Sequence, residues 1–249
     1  MATTDALPPT PTPGPTGSPT RLPTTTPSPT ATPTAPPVGG RGLTLQSGQL
    51  AQLTWRDGLQ ETAYVVLRWS PTSGFAFLPS PDPAQGLPGN ATGYADGSSL
   101  PDATYCYVIL PVGGNPPTYN NSLGISDLLC VYPRSGTGAS VSDFSVRLDE
   151  GPVAVLNWSP PTYPAQYELV AMRFDGSPTR RIPLVGNTAG YTDDTQGQAT
   201  CYEVVAQASG VELGRTDRLC AVPGITSFTA GPSGLERLRA ALPGHVPFR

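Results

Sequence analysis

The stretch ATYCYVIL at Ala103–Leu110, followed by LLCVYP at Leu128–Pro133, is repeated as ATCYEVVA at Ala199–Ala206 and RLCAVP at Arg218–Pro223. Each copy consists of two runs rich in apolar, β-branched or aromatic residues, joined by a connection rich in turn-forming residues. Each run carries one cysteine. The pattern therefore predicts, in each copy, a strand, a loop and a returning strand.

A wider internal repeat surrounds these two copies. LTWRDGLQETAYVVL aligns with LNWSPPTYPAQYELV, which places Trp55 over Trp158 and Tyr64 over Tyr167 at one offset of 103 residues. Nearer the cysteines, GYADGSSLPDATYCY aligns with GYTDDTQGQATCY if the first copy carries a two-residue insertion. That alignment adds three pairs: Tyr94 and Tyr191, Asp96 and Asp193, and Tyr107 and Tyr202. The chain therefore contains two homologous units.

The composition limits both the folded part of the chain and its partners. Of 249 residues, 32 are proline and 28 are glycine, and proline is densest before residue 40. The net charge is −4, all 14 basic residues are arginines, and no basic run occurs, which argues against a nucleic-acid partner. No stretch approaches the ~20 consecutive apolar residues of a transmembrane helix.

The sequence divides into four segments. Residues 1–40 are a Pro/Thr-rich linker or stalk, 41–134 and 140–224 are the two repeated units, and 225–249 are a tail. Short apolar runs separated by turn-forming residues, with no convincing helix, predict an all-β fold of two tandem β-sandwiches. Eight strands are expected, at Leu50–Trp55, Ala63–Trp69, Tyr105–Leu110, Asp127–Tyr132, Val153–Trp158, Gln166–Arg173, Thr200–Gln207 and Arg218–Val222.

The stalk is expected to be disordered or extended as polyproline II, because it has almost no apolar surface to bury. Its Thr and Ser between prolines suit O-glycosylation, and an unmodified spacer fits the composition as well. The start, MATTDALPP, lacks the regions of a signal peptide, whereas the paired cysteines indicate an oxidising compartment. We therefore expect a processed or truncated piece of a longer exported protein.

The two units resemble the fibronectin type III family, particularly its bacterial secreted members. The resemblance rests on a strand-B Trp (Trp55 and Trp158), a strand-C Tyr, and a strand-F motif of the form TYCYxV with a second Cys late in strand G. It covers 43–133 and 140–224, and implies an immunoglobulin-like sandwich of seven strands with both tryptophans in the core. The immunoglobulin inter-sheet bridge is absent, because strand B has no Cys. The first unit departs from the pattern by a long insertion, Ser70–Gly93.

Alternation along strand F predicts which way the sulfur atoms point. If Tyr202 faces the core, its neighbour Cys201 faces outward, and the same phase points Cys106 outward. On the strand assignment that the resemblance implies, the bonds Cys106–Cys130 and Cys201–Cys220 join strands F and G on the outer face of the sheet. Facing residues of antiparallel neighbours lie ~4.5–5.5 Å apart, within disulfide range.

No catalytic constellation can be assembled from the sequence. The only histidine, His245, lies in the tail, the cysteines are assigned to disulfides, and the motifs GxSxG and HExxH are absent. A metal site at the cysteines is disfavoured because their spacings are not CxxC. Asp193 and Asp194, with Asp96 at the equivalent place, could ligate Ca²⁺ or bond a turn, and we prefer the turn. The sequence thus predicts no enzyme, no cofactor and no metal.

Three aromatic residues flank the insertion of the first unit. Trp69, Phe75 and Phe77 could form a platform that binds a protein or sugar rings. They could also fold back to cover the sandwich or seal the junction between the units, which is the interpretation we prefer.

Two sequons, at Asn90 and Asn120, lie in predicted loops and are candidate glycosylation sites in a suitable host. A third, at Asn157, falls in strand B. There its side chain should point outward, beside the buried Trp158.

The tail has two interpretations. Leu235, Leu238 and Leu242 have helical spacing, which predicts a short amphipathic helix. The stretch ITSFTAGPSGLERLRAAL also resembles VSDFSVRLDEGPVAVLNW, the entry into the second unit, with Phe228 over Phe144. We favour the start of an incomplete third repeat, whose apolar residues could stay disordered, form the helix, or pair with the exposed edge of another molecule.

The leading functional hypothesis is a non-catalytic extracellular structural or adhesive module, secreted or at the cell surface. Its stalk would carry the tandem β-sandwich for spacing, display or cell-surface assembly. The expected partners are a protein or a cell-surface polysaccharide, with self-association into a polymer as a further option. Two alternatives remain: the accessory region of a secreted polysaccharide-degrading enzyme, and the subunit of a filament assembled by strand or tail exchange.

Overall fold

The computed structural model describes residues 42–48, 50–99, 103–132, 142–149, 152–159, 166–185, 188–225 and 240. Within these ranges the strands are β1 Thr44–Gln46, β2 Ala51–Thr54, β3 Ala63–Ser70, β4 Gly74–Leu78, β5 Leu87–Pro88, β6 Gly93–Asp96, β7 Tyr105–Val112, β8 Leu128–Tyr132, β9 Ser142–Leu148, β10 Val153–Ser159, β11 Gln166–Met172, β12 Pro178–Leu184, β13 Gly190–Asp194, β14 Thr200–Ala208, β15 Val211–Arg215 and β16 Arg218–Val222. Two short 3₁₀ helices lie at Pro83–Gln85 and Tyr119–Asn121.

All eight strands expected from the sequence are present, with ends that differ by at most two residues. The insertion Ser70–Gly93 supplies β4, the first 3₁₀ helix and β5, which pair or pack with β3. The predicted stalk and all of the tail except Ile225 and Ala240 lie outside the described residues.

The strands form two antiparallel sheets. One has six strands in the order β13-β10-β9-β1-β2-β6, and the other has ten, along the path β12-β11-β14-β16-β8-β7-β3-β4 with β15 and β5 paired beside it. Each repeated unit contributes three strands to the first sheet and four strands of that path to the second. This is the seven-stranded arrangement implied by the resemblance, so the fold is all-β and fibronectin type III-like.

The two sheets run without interruption from one unit into the other. The first strands of the units pair, with Leu45 of β1 facing Val146 of β9. The last strands pair as well, with Cys130 of β8 facing Cys220 of β16. Strands that would be edges in a lone sandwich are therefore interior strands here. The segment boundaries at 41–134 and 140–224 stay predictions.

Side chains alternate between two apolar clusters on opposite faces of the ten-stranded sheet. The inner cluster fills the space between the sheets, spans both units and contains Trp55 and Trp158, as predicted. The outer cluster lies on the face turned away from the six-stranded sheet. It consists of Val65, Leu67, Cys106, Val108, Leu110, Leu128, Cys130, Tyr132, Val170, Met172, Cys201, Val205, Cys220 and Val222.

Candidate functional site

The four cysteines form one row across the ten-stranded sheet. Cys106 faces Cys130, Cys130 faces Cys220, and Cys220 faces Cys201, on the consecutive strands β7, β8, β16 and β14. Disulfide bonds join Cys106 to Cys130 and Cys201 to Cys220, with Cα atoms 3.9 Å apart in each pair. Each bond therefore links neighbouring strands of one sheet on its outer face, and neither crosses the inner cluster.

The three aromatic residues of the candidate binding surface extend this row. Trp69 faces Cys106 across β3 and β7, and Phe75 of β4 faces Trp69. Phe77 lies two residues further along β4, with its ring centre 5.2 Å from that of Tyr119. All three side chains are half-buried and pack against the outer cluster. Their buried parts thus cover the sheet, and a partner contact through the exposed parts remains a proposal.

The repeat places a buried carboxylate at the same position in each unit. Asp96 ends β6 opposite Ala51, and Asp193 lies on β13 opposite Ala154. Because Ala51 and Ala154 are themselves separated by the repeat offset, the register confirms the alignment of the two acids. Their exposed fractions are 0% and 4%.

Each carboxylate accepts a hydrogen bond from the strand-F tyrosine of its own unit. Tyr107 Oη donates to Asp96 Oδ2 at 3.0 Å, and Tyr202 Oη donates to Asp193 Oδ2 at 2.8 Å. Burial, followed by the adjacent carboxylate, raises the pKa of both phenols, so they remain protonated donors.

The neutralising cation comes from a different strand in each unit. Arg68 of β3 places Nη1 2.8 Å from Asp96 Oδ2, whereas Arg180 of β12 pairs with Asp193. Ser98 completes the first site, because its backbone N–H and its Oγ donate to Asp96 Oδ1 at 3.0 and 2.7 Å. These arginines had not been singled out from the sequence, since no local pattern says which strand will carry the cation.

The buried acids act as structural acceptors, and their exposed neighbour forms a turn. Asp194 is exposed, and its Oδ1 accepts a hydrogen bond from the backbone N–H of Gln196 at 2.8 Å. In the described part of the chain, no group of three or more potential metal-ligating side chains comes together. The backbone N–H bonds accepted by Asp96 and Asp194 fit the turn interpretation, whereas Asp193 bonds the side chains of Tyr202 and Arg180 instead.

Asp96 is expected to make stability depend on pH. Burial alone would raise the pKa of its carboxyl, but hydrogen bonds from Ser98, Arg68 and Tyr107 outweigh burial and hold the pKa below its ordinary value. This contribution is complete above the unfolded pKa of about 3.9 and is lost as pH falls through the lower folded value. Urea titrations on the acid side of about pH 5 should therefore show a steeper loss of unfolding free energy for the wild type than for Asp96→Asn. Equal slopes would contradict the assignment.

The sequons occupy the surface. Asn90 is exposed in a turn, and Asn120 is exposed in the second 3₁₀ helix. Asn157 is exposed on β10 beside the buried Trp158, as predicted. All three side chains are accessible, and their glycosylation remains a prediction.

Comparison with known proteins gives distant structural similarities. No protein-family model matches the chain. No curated protein matches it either. A two-domain fibronectin type III segment of chicken tenascin is 12% identical, with 73% of this chain and 98% of that chain covered and a TM-score of 0.31. The selenomethionine-substituted chicken interferon gamma receptor alpha chain is 11% identical, with 75% and 99% covered and a TM-score of 0.29. In the residues described, no helix is long and apolar enough to span a membrane.

Proposed function

We propose that the protein is a non-catalytic, extracellular structural or adhesive module, in which two fused β-sandwiches act as a rigid body for spacing or display at a cell surface. The observation that best supports this proposal is that the cysteines and the buried acids all take part in structural bonds. The four cysteines form two disulfides, and the buried acids Asp96 and Asp193 are bonded by tyrosine and arginine. Such groups stabilise a scaffold, and they are not presented to a substrate.

A partner would meet the protein at its surface. The exposed parts of Trp69, Phe75 and Phe77 supply aromatic edges at one margin of the ten-stranded sheet, where a protein or a cell-surface polysaccharide could bind. The Pro/Thr-rich segment at 1–40 would hold this body away from its attachment point.

The location can be tested on native material. Fractionation of the producing cells, followed by thiol titration of the protein in denaturant, should find it in the medium or at the cell surface with no free thiol. The reason is that both disulfides require an oxidising compartment. Recovery from the cytosol with four free thiols would overturn the proposal. So would hydrolysis of any member of a polysaccharide panel by the purified chain.

A further inference from the structure

The outer cluster is buried although it lies on the outside of a two-layer fold. Its members expose between 0% and 7% of their surface. A charged group on the same face is also shielded. Glu203 lies on β14 between Cys201 and Val205 of the outer cluster, and it is 3% exposed. Its carboxylate pairs with Arg215 Nη1 at 2.8 Å. Water is therefore excluded from this face of the sheet.

None of the strands in the described ranges covers this face. Every described strand belongs to one of the two sheets, so none forms a third layer. Single side chains from connections do pack against the cluster: Tyr119 and Ile125 between β7 and β8, Phe174 between β11 and β12, and Ala199 just before β14. Phe174 places its ring centre 6.5 Å from that of Tyr132 on β8. The central strands β8 and β16, with Cys130 and Cys220, still need a covering element.

The chain itself leads onto this face. β16 ends at Val222 in the middle of the ten-stranded sheet, and Ile225, three residues later, packs against the outer cluster. Residues 226–249 then follow, a length of chain sufficient to cross several strands.

The sequence of that segment fits an apolar sheet face. Leu235, Leu238 and Leu242 fall on one side of a helix at about 100° per residue. Ala240 lies on the opposite side; it is helical and exposed in the structure. Ser233 and Glu236 have the spacing of a capping box, and Pro243 provides a stop.

We propose that residues 234–242 form an amphipathic helix that docks on the outer cluster over β8 and β16, as a third layer of the fold. A helix of this length is not stable alone in water, where about 12–15 residues are needed, so an apolar partner must support it. Docking buries its three leucines and shields the two disulfides from solvent. The occupant of the face is therefore the chain's own tail.

The first test places a charge on either side of the helix in the whole chain. Leu238→Asp/Leu242→Asp should undock the helix and expose the outer cluster, whereas Ala240→Asp introduces the same group on the exposed side. We expect amide exchange in 234–242 to accelerate at least about 100-fold in the leucine variant, with increased binding of a hydrophobic dye, and little change in the alanine variant. Indistinguishable exchange and dye binding in the two variants would overturn the proposal.

The second test separates the tail from other occupants. A chain that ends at Ile225 should bind the dye, and a synthetic peptide of residues 226–249 should suppress that binding. A truncated chain that neither binds the dye nor the peptide would contradict tail docking. Sedimentation of the wild type shows whether the tail docks on its own chain or on a second copy. A dimer that dissociates in the Leu238→Asp/Leu242→Asp variant would assign the face to a second copy and overturn the proposal.

Discussion

Replacing Asp96 by alanine should lower the free energy of unfolding by about 3 to 5 kcal/mol, because a buried cation and a buried hydroxyl lose their shared acceptor. The Asp96 side chain is fully buried, the side chain of Arg68 is 13% exposed, and the Tyr107 hydroxyl donates to the same carboxylate oxygen. Urea unfolding followed by intrinsic fluorescence measures the loss as a shift in midpoint at constant m-value.

The second unit supplies the matched control for this change. Asp193→Ala removes the equivalent acceptor and should cost less than Asp96→Ala, because the half-exposed Arg180 can turn toward water. Asp194→Ala removes the adjacent exposed acid, which bonds only a turn N–H among the described contacts, and should cost less than about 1 kcal/mol. Equal losses at Asp193 and Asp194 would show that the buried cluster is not the source of the effect.

Removing one disulfide, as in Cys201→Ala/Cys220→Ala, should cost about 3 kcal/mol, because the unfolded chain regains the freedom of a closed loop of roughly twenty residues. The double variant Cys106→Ala/Cys130→Ala should lose slightly more, since its loop is longer, with a sequence separation of 24 against 19. Equilibrium unfolding in urea under non-reducing conditions measures both.

The reduced wild type separates the effect of the disulfide cross-links from the effect of sulfur packing. It keeps every sulfur in the outer cluster and loses only the cross-links, so it shows how much of the alanine effect comes from lost packing. Stabilities of the reduced wild type and the oxidised wild type that agree within about 1 kcal/mol would contradict the loop-entropy explanation.

The fold within each unit could be predicted because its signals are local or repeated. Asp96 and Asp193 aligned by sequence, and they occupy matching registers in the six-stranded sheet. Trp55 and Trp158 aligned as well, and both are buried in the inner cluster. Alternation along strand F placed Cys106 and Cys201 on the correct face. These features depend on one strand and its nearest neighbour, which the sequence pattern encodes directly.

The joining of the two units could not be predicted in the same way. The pairing of β1 with β9 depends on how two sandwiches approach each other, and Thr44–Gln46 carries no signal for its second partner.

Burial of the outer face of the ten-stranded sheet, in contrast, had a signal in the sequence that the prediction did not use. Runs such as YVVL and YCYVIL are apolar at every position, as is typical of strands buried on both faces, whereas a strand with one wet face alternates.

At the centre of each sheet, a strand of one unit pairs with the equivalent strand of the other unit, and this pairing affects how the fold responds to tension. β1 is hydrogen-bonded to β2 and β9, and β16 to β14 and β8, so the strands through which the chain enters and leaves the sandwich are each anchored along both sides. An outermost strand can be unzipped one bond at a time, but a strand held on both flanks must shear two ladders together. A load pulled through the chain therefore has to break hydrogen bonds on both flanks of β1 or of β16 before either strand leaves its sheet.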